Sequence, residues 1–218
     1  MTDLVLEDVE VRYGSLTAVA PVSLTVPGGR MLAVTGPSGA GKSTLLWLMA
    51  GALATDRGSV RVDDRPVGSR TEAAARGVVL VPQGNGLAAV LTAYENIVVP
   101  LLDAGLPSSE ADRRAHEALA VVGLDEWAEH LVEELSGGQQ QRVAVARAVA
   151  AEAAVLLADE PTSDLDGHNR EVVMAALREA ADRGAVVVLA THDPEAAAAA
   201  DAELALDEGV ATWVRSLG

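Results

Sequence analysis

The stretch Gly36-Pro37-Ser38-Gly39-Ala40-Gly41-Lys42-Ser43-Thr44 has the spacing G-x-x-x-x-G-K-[ST]. An apolar run at residues 31–34 precedes it, and residues 45–50 can open a helix after it. A strand, a glycine loop and a helix together make a phosphate cradle. Glycines let the backbone N–H groups of Gly36, Ser38, Gly39, Ala40, Gly41 and Thr44 turn toward the phosphates of a nucleotide, and the helix N-terminus adds positive dipole. Lys42 can reach the β and γ phosphates, and Ser43 can offer its hydroxyl to Mg²⁺. Lys42 is the only lysine beside fifteen arginines. That one exception argues for a compact point charge that arginine cannot replace.

Two carboxylates end an apolar strand at residues 155–160. Asp159 can hold Mg²⁺, and Glu160 can orient or deprotonate an attacking water, because successive strand side chains diverge. Gln83 follows the apolar run 77–81, where α/β ligand crevices lie, and its carbonyl can ligate a metal. A plain loop glutamine is the alternative. His192 stands one intervening residue beyond the strand expected at 185–190, in a place parallel to Gln83, which points to a γ-phosphate contact. Tyr13 lies just past the first strand and can stack on a base, or serve as half-buried packing.

Leu135-Ser136-Gly137-Gly138-Gln139 opens a helix to about residue 151. Ser136 and Gln139 have capping-box spacing. Glycines in a first turn weaken a helix, so they need another reason, and bare N–H groups at a helix N-terminus bind anions. One cradle already exists at Gly36. The symmetric solution is a head-to-tail homodimer or pseudo-dimer, each subunit presenting Ser136 to the γ-phosphate on its partner's Lys42.

These residues have to be positioned by the rest of the chain. Strands are expected at 4–11, 19–26 and 59–62, the last forming a hairpin with 65–67, and helices at 91–102 and 109–122. Ser109 and Asp112 form an imperfect capping box for the second of these helices. Asp166 is a plausible N-cap for a helix at 167–181, and Pro194 suits a first helical position. Residues 203–206 and 210–214 form a closing hairpin through Asp207-Glu208-Gly209. Residues 87–100 are less polar and can dock a partner's helix.

Half of the 218 residues are apolar, aromatics are scarce, Cys is absent and the net charge is −16. The core must pack Ala, Val and Leu closely. The charge disfavours a nucleic-acid partner, and no disulfide, thiol catalysis or Cys-liganded metal is available. The N-terminus lacks a basic signal-like start, and no stretch reaches the ~18 apolar residues of a membrane span. The chain is expected at the cytoplasmic face of the membrane, without insertion of its own.

Taken together, these residues resemble the nucleotide-binding subunit of ABC transporters over essentially the whole chain. Residues 135–139, continuing to Gln141-Arg142 and Ala146-Arg147-Ala148, look like the family signature. The resemblance implies an α/β P-loop NTPase with a RecA-like core, an N-terminal antiparallel β-subdomain and an inserted α-helical subdomain. It divides the chain into core with β-subdomain at 1–82 and 155–218, helical subdomain at 83–135 and signature helix at 136–154. It makes Tyr13 the adenine-stacking aromatic, Gln83 a metal-sensing residue coupled to the membrane subunit, and Asp159 and Glu160 the metal and catalytic carboxylates. Ser136, Gly138 and Gln139 become nucleotide contacts in the partner's site. Asp166 closes the dimer-communication loop, and His192 is the switch histidine. ATP and Mg²⁺ are the implied cofactors. A second copy and integral membrane permease subunits are the implied partners. Leu91-Thr92-Ala93-Tyr94-Glu95-Asn96-Ile97-Val98-Val99-Pro100-Leu101 looks most like the lipoprotein-releasing, macrolide-exporter and cell-division subgroup. Ser163-Asp164-Leu165-Asp166 has an Asp where a small residue or Asn is usual.

ATP hydrolysis powering a membrane transporter of the export or lipoprotein type is therefore expected. A cell-division ATPase that regulates a wall hydrolase through a membrane partner uses the same motor. A chromosome-organising head would carry a long coiled coil before the signature, and no sustained heptads lie there. A translation-associated ATPase would carry two such domains.

Overall fold

Leu4, Leu6, Val9 and Val11 are all buried, although the alternation slips by one residue after Leu6. The slip is a β-bulge: Asp8 takes φ 50°, and the register with the neighbouring strand shifts between Leu6 and Val9. The extra residue keeps both halves of the strand facing one core. In this computed structural model, which describes residues 2–163 and 165–217, that strand is β1 (Asp3–Tyr13). The expectation placed on Asp164 lies outside the described residues. With β2 (Leu16–Pro27), β4 (Arg57–Val62) and β5 (Arg65–Pro66), β1 forms an antiparallel sheet of order β2-β1-β4-β5.

The second sheet is built on β3 (Met31–Thr35), with β6 (Val78–Val81), β7 (Val155–Asp159), β8 (Val186–Ala190), β9 (Ala202–Asp207) and β10 (Val210–Arg215). Its order is β10-β9-β3-β8-β7-β6, and all neighbours are parallel except β10 on β9. Strands buried on both faces need two covering layers. Leu32, Val34, Leu157 and Val188 face a core shared with β1, β2, β4 and helix α1 (Lys42–Met49). Met31, Ala33, Leu156 and Val187 face the other way, against α5 (Gly137–Ala150), α6 (Gly167–Asp182) and α7 (Pro194–Ala198). That second layer is rich in alanine, as the scarcity of aromatics requires. The short α2 (Arg70–Ala75) is capped by Ser69, whose hydroxyl accepts from Glu72 N–H.

A third core joins α3 (Ala93–Asp103), α4 (Ser108–Val121) and one face of α5. Thr92 and Glu95 make a full capping box at the start of α3. The box expected from Ser109 and Asp112 does not form. The helix starts at Ser108 with Pro107 as its N-cap, which puts Ser109 inside the first turn, and Asp112 instead accepts the Tyr94 hydroxyl at 2.9 Å. The box of Ser136 and Gln139 does form, with both reciprocal bonds present. Asp166 caps α6, accepting from Asn169 N–H at 2.8 Å.

One carboxylate stitches the far end of the central sheet. Asp201 accepts the Met31 N–H at 2.7 Å and the Arg178 guanidinium at 3.0 Å, with Arg30 3.6 Å away. Burial pushes its pKa up, but these donors overcome that and hold it below the usual value. Its stabilisation is therefore complete above the ordinary carboxylate range and fades as pH falls through the depressed value. Asp201→Ala should cost about 2 kcal/mol at neutral pH, or about 4–8 °C in Tm. The gap from the parent should close as melts are repeated at falling pH.

Candidate functional site

Four segments of interest emerge from the same edge of the parallel sheet. The loop after β3 carries Gly36 to Gly41, Gln83 follows β6, Asp159 and Glu160 end β7, and His192 follows β8. Ligands of such sheets bind at the carboxyl ends of the strands. A cleft of about 930 Å³ lies there. Its walls include Tyr13, Ser38, Gly39, Gly41, Lys42, Ser43, Thr44, Gln83, Glu160 and His192.

The loop's shape depends on missing side chains. A Cβ on Gly36 would lie 2.1 Å from the Leu206 carbonyl oxygen, and one on Gly41 would lie 2.3 Å from that of Ala18. Both glycines also have positive φ, 140° and 104°. The loop is braced from outside by the β9–β10 turn: Gly209 N–H donates to Ala40 O at 3.1 Å, and Ala20 N–H donates to Gly209 O at 2.8 Å. Lys42, only 8% exposed, donates to the carbonyls of Gly36 at 2.9 Å and Pro37 at 3.1 Å. Its Nζ is also 3.8 Å from Glu160 Oε1.

Asp159 is the last residue of β7, and Glu160 lies one residue past it in a kink, so the simple strand alternation expected for the pair stops at Asp159. Glu160 has φ 52°, a left-handed conformation that a non-glycine residue rarely adopts. Its backbone is held there by Glu160 N–H donating to Ala190 O and by the Ser163 hydroxyl donating to Glu160 O, both at 2.9 Å. Such strain collects at functional sites. The Glu160 carboxylate meets His192, with Nδ1 2.9 Å from Oε2. A ring that donates Nδ1–H to this carboxylate can donate Nε2–H to a phosphate only as imidazolium.

Asp159 is 2% exposed, and its Oδ1 has no hydrogen-bond partner among the described residues. Burial pushes its pKa up. The Ser43 hydroxyl and Lys42 oppose this, and the Glu160 charge adds to it. An orphaned buried carboxylate oxygen beside a hydroxyl suits a divalent cation that also takes phosphate oxygens. Ser43 and Asp159 fit that role. Gln83, exposed and on the cleft wall, is the third candidate.

Ser136, Gly138, Gln139 and Asp166 are not among the residues that line this cleft. Ser136 and Asp166 are exposed, and Gly138 and Gln139 are half-buried. A Cβ on Gly137 would meet nothing within 4 Å, so nothing within the described residues requires a glycine there. The Ser136 oxygen accepts Gln139 N–H, leaving the hydroxyl hydrogen to donate outward. Tyr13, 49% exposed, stands at the cleft mouth.

Leu16, Thr17, Ala18, Ser163, Glu208 and Gly209 also line the cleft and were not expected. The turn Asp207-Glu208-Gly209 was legible as a hairpin, but only the order of the second sheet brings it beside Ala40. Arg147 and Asn96 were missed as well. Arg147 donates to the carbonyls of Asn85 at 2.9 Å and Gly86 at 2.8 Å, and Asn96 bonds Ala88, Leu91 and Thr92. Together they pin the segment after Gln83. Val90 in this segment, and Val99 and Leu102 on α3, are exposed.

A glycine cradle between β3 and α1, with an acidic pair at the end of β7, defines a phosphate-loop nucleotide-binding domain. The chain belongs to the ABC transporter family, whose sequence pattern matches residues 19–163. It is 41% identical over 211 residues to the methionine import ATP-binding protein MetN of Brucella abortus, covering 94% of this chain and 57% of MetN. The chain thus spans a little over half the length of those relatives. It is 39% identical over 210 residues to the lipoprotein-releasing system ATP-binding protein LolD of Bacteroides fragilis, covering 94% of this chain and 97% of LolD. The likeness therefore reaches an import subunit as well as the expected lipoprotein-releasing one. Among solved structures, a dimeric post-hydrolysis state of the ATP-binding cassette MJ0796 bound to ADP and Pi matches with a TM-score of 0.89. That match has 31% identity and covers 99% of each chain. The P-loop NTPase fold expected from the sequence is the fold observed.

Proposed function

We propose that this chain binds Mg·ATP in the cleft and hydrolyses it as one half of a head-to-tail pair. The observation that carries the reading is a division of parts. Lys42, Ser43, Glu160 and His192 converge on one cleft, while Ser136 is displayed on another surface, at a glycine-rich helix N-terminus facing outward. The dimeric state of the MJ0796 cassette supports the pairing.

Lys42 exchanges its loop carbonyls for the β and γ phosphates. Tyr13 stacks on the adenine. Glu160 accepts a proton from the attacking water, and His192 holds Glu160 in place. When bound, Mg²⁺ neutralises charge on the β and γ phosphates, and Ser43, Asp159 and Gln83 are the groups that would hold it. Ser136 of the second copy donates to the γ-phosphate, its helix dipole adding to the effect. Asp166, exposed at the start of α6, faces that second copy.

The work is delivered to integral membrane permease subunits at the cytoplasmic face. The exposed apolar residues Val90, Val99 and Leu102 are the docking residues in this reading. The Leu91–Leu101 run and the likeness to LolD favour a transporter of the export or lipoprotein-releasing type.

The test is ATP turnover by the purified chain. ADP and phosphate should appear in equal amounts, and chelating Mg²⁺ should stop their release. Lys42→Ala should weaken ATP binding by about 10²-fold, the loss of a buried charge-assisted contact. Unchanged affinity in that variant would refute the assignment of the cradle.

A further inference from the structure

Arg170 lies one turn into α6, and its backbone N–H donates to Asp166 O at 2.9 Å. Its guanidinium leaves the helix and crosses to the turn after β8. Nε sits 2.8 Å from Asp193 Oδ2, an ion pair without the alignment of a hydrogen bond, and Nη1 bonds Glu195 Oε2. Asp193 is held on its other side too. Its Oδ1 accepts Glu195 N–H at 2.9 Å, and its own N–H donates to Thr191 Oγ1 at 3.0 Å. His192 is the residue between Thr191 and Asp193. Its ring reaches Glu160 at 2.9 Å, and its N–H lies 3.4 Å from the same oxygen.

We infer that Arg170 is a positioning residue for hydrolysis, tying the first turn of α6 to the His192–Asp193 turn and so holding His192 against Glu160. The inference rests on reading Glu160 and His192 as the hydrolytic pair. Arg170 touches neither nucleotide nor water in this account and acts only through Asp193. The contact with Glu195, which is largely exposed, contributes little by itself. Asp193 is the better-covered partner, and a planar fork can engage both carboxylates where an ammonium engages one at a time. The same helix turn begins at Asp166, so a shift of α6 at the surface that carries Asp166 reaches the residue next to His192 through one side-chain contact, Arg170 to Asp193.

The experiment is a steady-state comparison of the parent with Arg170→Ala, Arg170→Gln, Arg170→Lys, His192→Ala and the Arg170→Ala/His192→Ala pair. Arg170→Ala and Arg170→Gln should lower kcat by about 5- to 30-fold, with KM for ATP within about twofold. Arg170→Lys should recover part of the loss. In the His192→Ala background, removing Arg170 should change nothing further, because both act through one contact. An equal loss in that background, or a raised KM at unchanged kcat, overturns the inference. If His192→Ala is slow while every folded Arg170 variant turns over at the parent rate, only the inference about Arg170 fails. If His192→Ala itself matches the parent, the reading of the hydrolytic pair fails and takes this inference with it.

Discussion

Glu160→Gln should reduce phosphate release by about 10²–10⁴-fold, the contribution of a positioned general base, while ATP affinity stays within about threefold. The amide keeps the shape of the side chain and the left-handed backbone at φ 52°. It keeps an oxygen that can accept from His192, and removes the basicity and the charge. Loss of the negative charge 3.8 Å from Lys42 Nζ should, if anything, favour the phosphates. Bound ATP that is not consumed should then hold two chains together, because in the proposed pair each triphosphate contacts both. The checks are single-turnover phosphate release and the sedimentation of Glu160→Gln with and without ATP. Hydrolysis at the parent rate would remove Glu160 from the role of base.

Ser136→Arg should leave ATP binding to a single chain unchanged and lower turnover by about 10²–10³-fold, the loss expected for one missing donor to developing charge. Ser136 is not part of the cleft wall and is exposed, so its own chain's nucleotide should not sense the change. An arginine side chain would fill the open space beside Gly137, where the proposed pairing puts the partner's phosphate. It would also break the Ser136–Gln139 cap, which costs about 1 kcal/mol of helix stability, too little to unfold the domain. The readout is ATP-dependent dimer formation in the Glu160→Gln background. A dimer that survives Ser136→Arg would contradict the proposed trans contact.

Much of this arrangement was legible in the sequence. The phosphate loop was, because its glycines answer to local geometry: Gly36 and Gly41 stand where a Cβ would strike backbone within 2.3 Å. The Ser136–Gln139 cap and the Asp166 cap were legible for the same reason, since a cap is a contact between near neighbours in the chain. Glu160 was legible as a carboxylate but not as a kink, because no glycine or asparagine marks its left-handed backbone. What Gly209, Arg147 and Arg170 do was hidden, since each acts across a distance that only the sheet order and helix packing create. Gly209 lies beside Ala40 because β9 pairs with β3. Ser109 misled because Ser and Asp stand at capping spacing, whereas the helix starts at Ser108 and Ser109 is already inside its first turn.

Complementation between two inactive variants tests most directly the claim that each chain supplies half of each site. Lys42→Ala keeps an intact Ser136 helix, and Ser136→Arg keeps an intact cradle with Glu160 and His192. A mixed pair contains one complete site, made from the cradle of one chain and the helix N-terminus of the other. Titrating one inactive variant into the other should therefore restore phosphate release that neither gives alone, rising with the concentration of mixed pairs. A mixture as inactive as its separate components, with both variants folded, would contradict a site shared between chains.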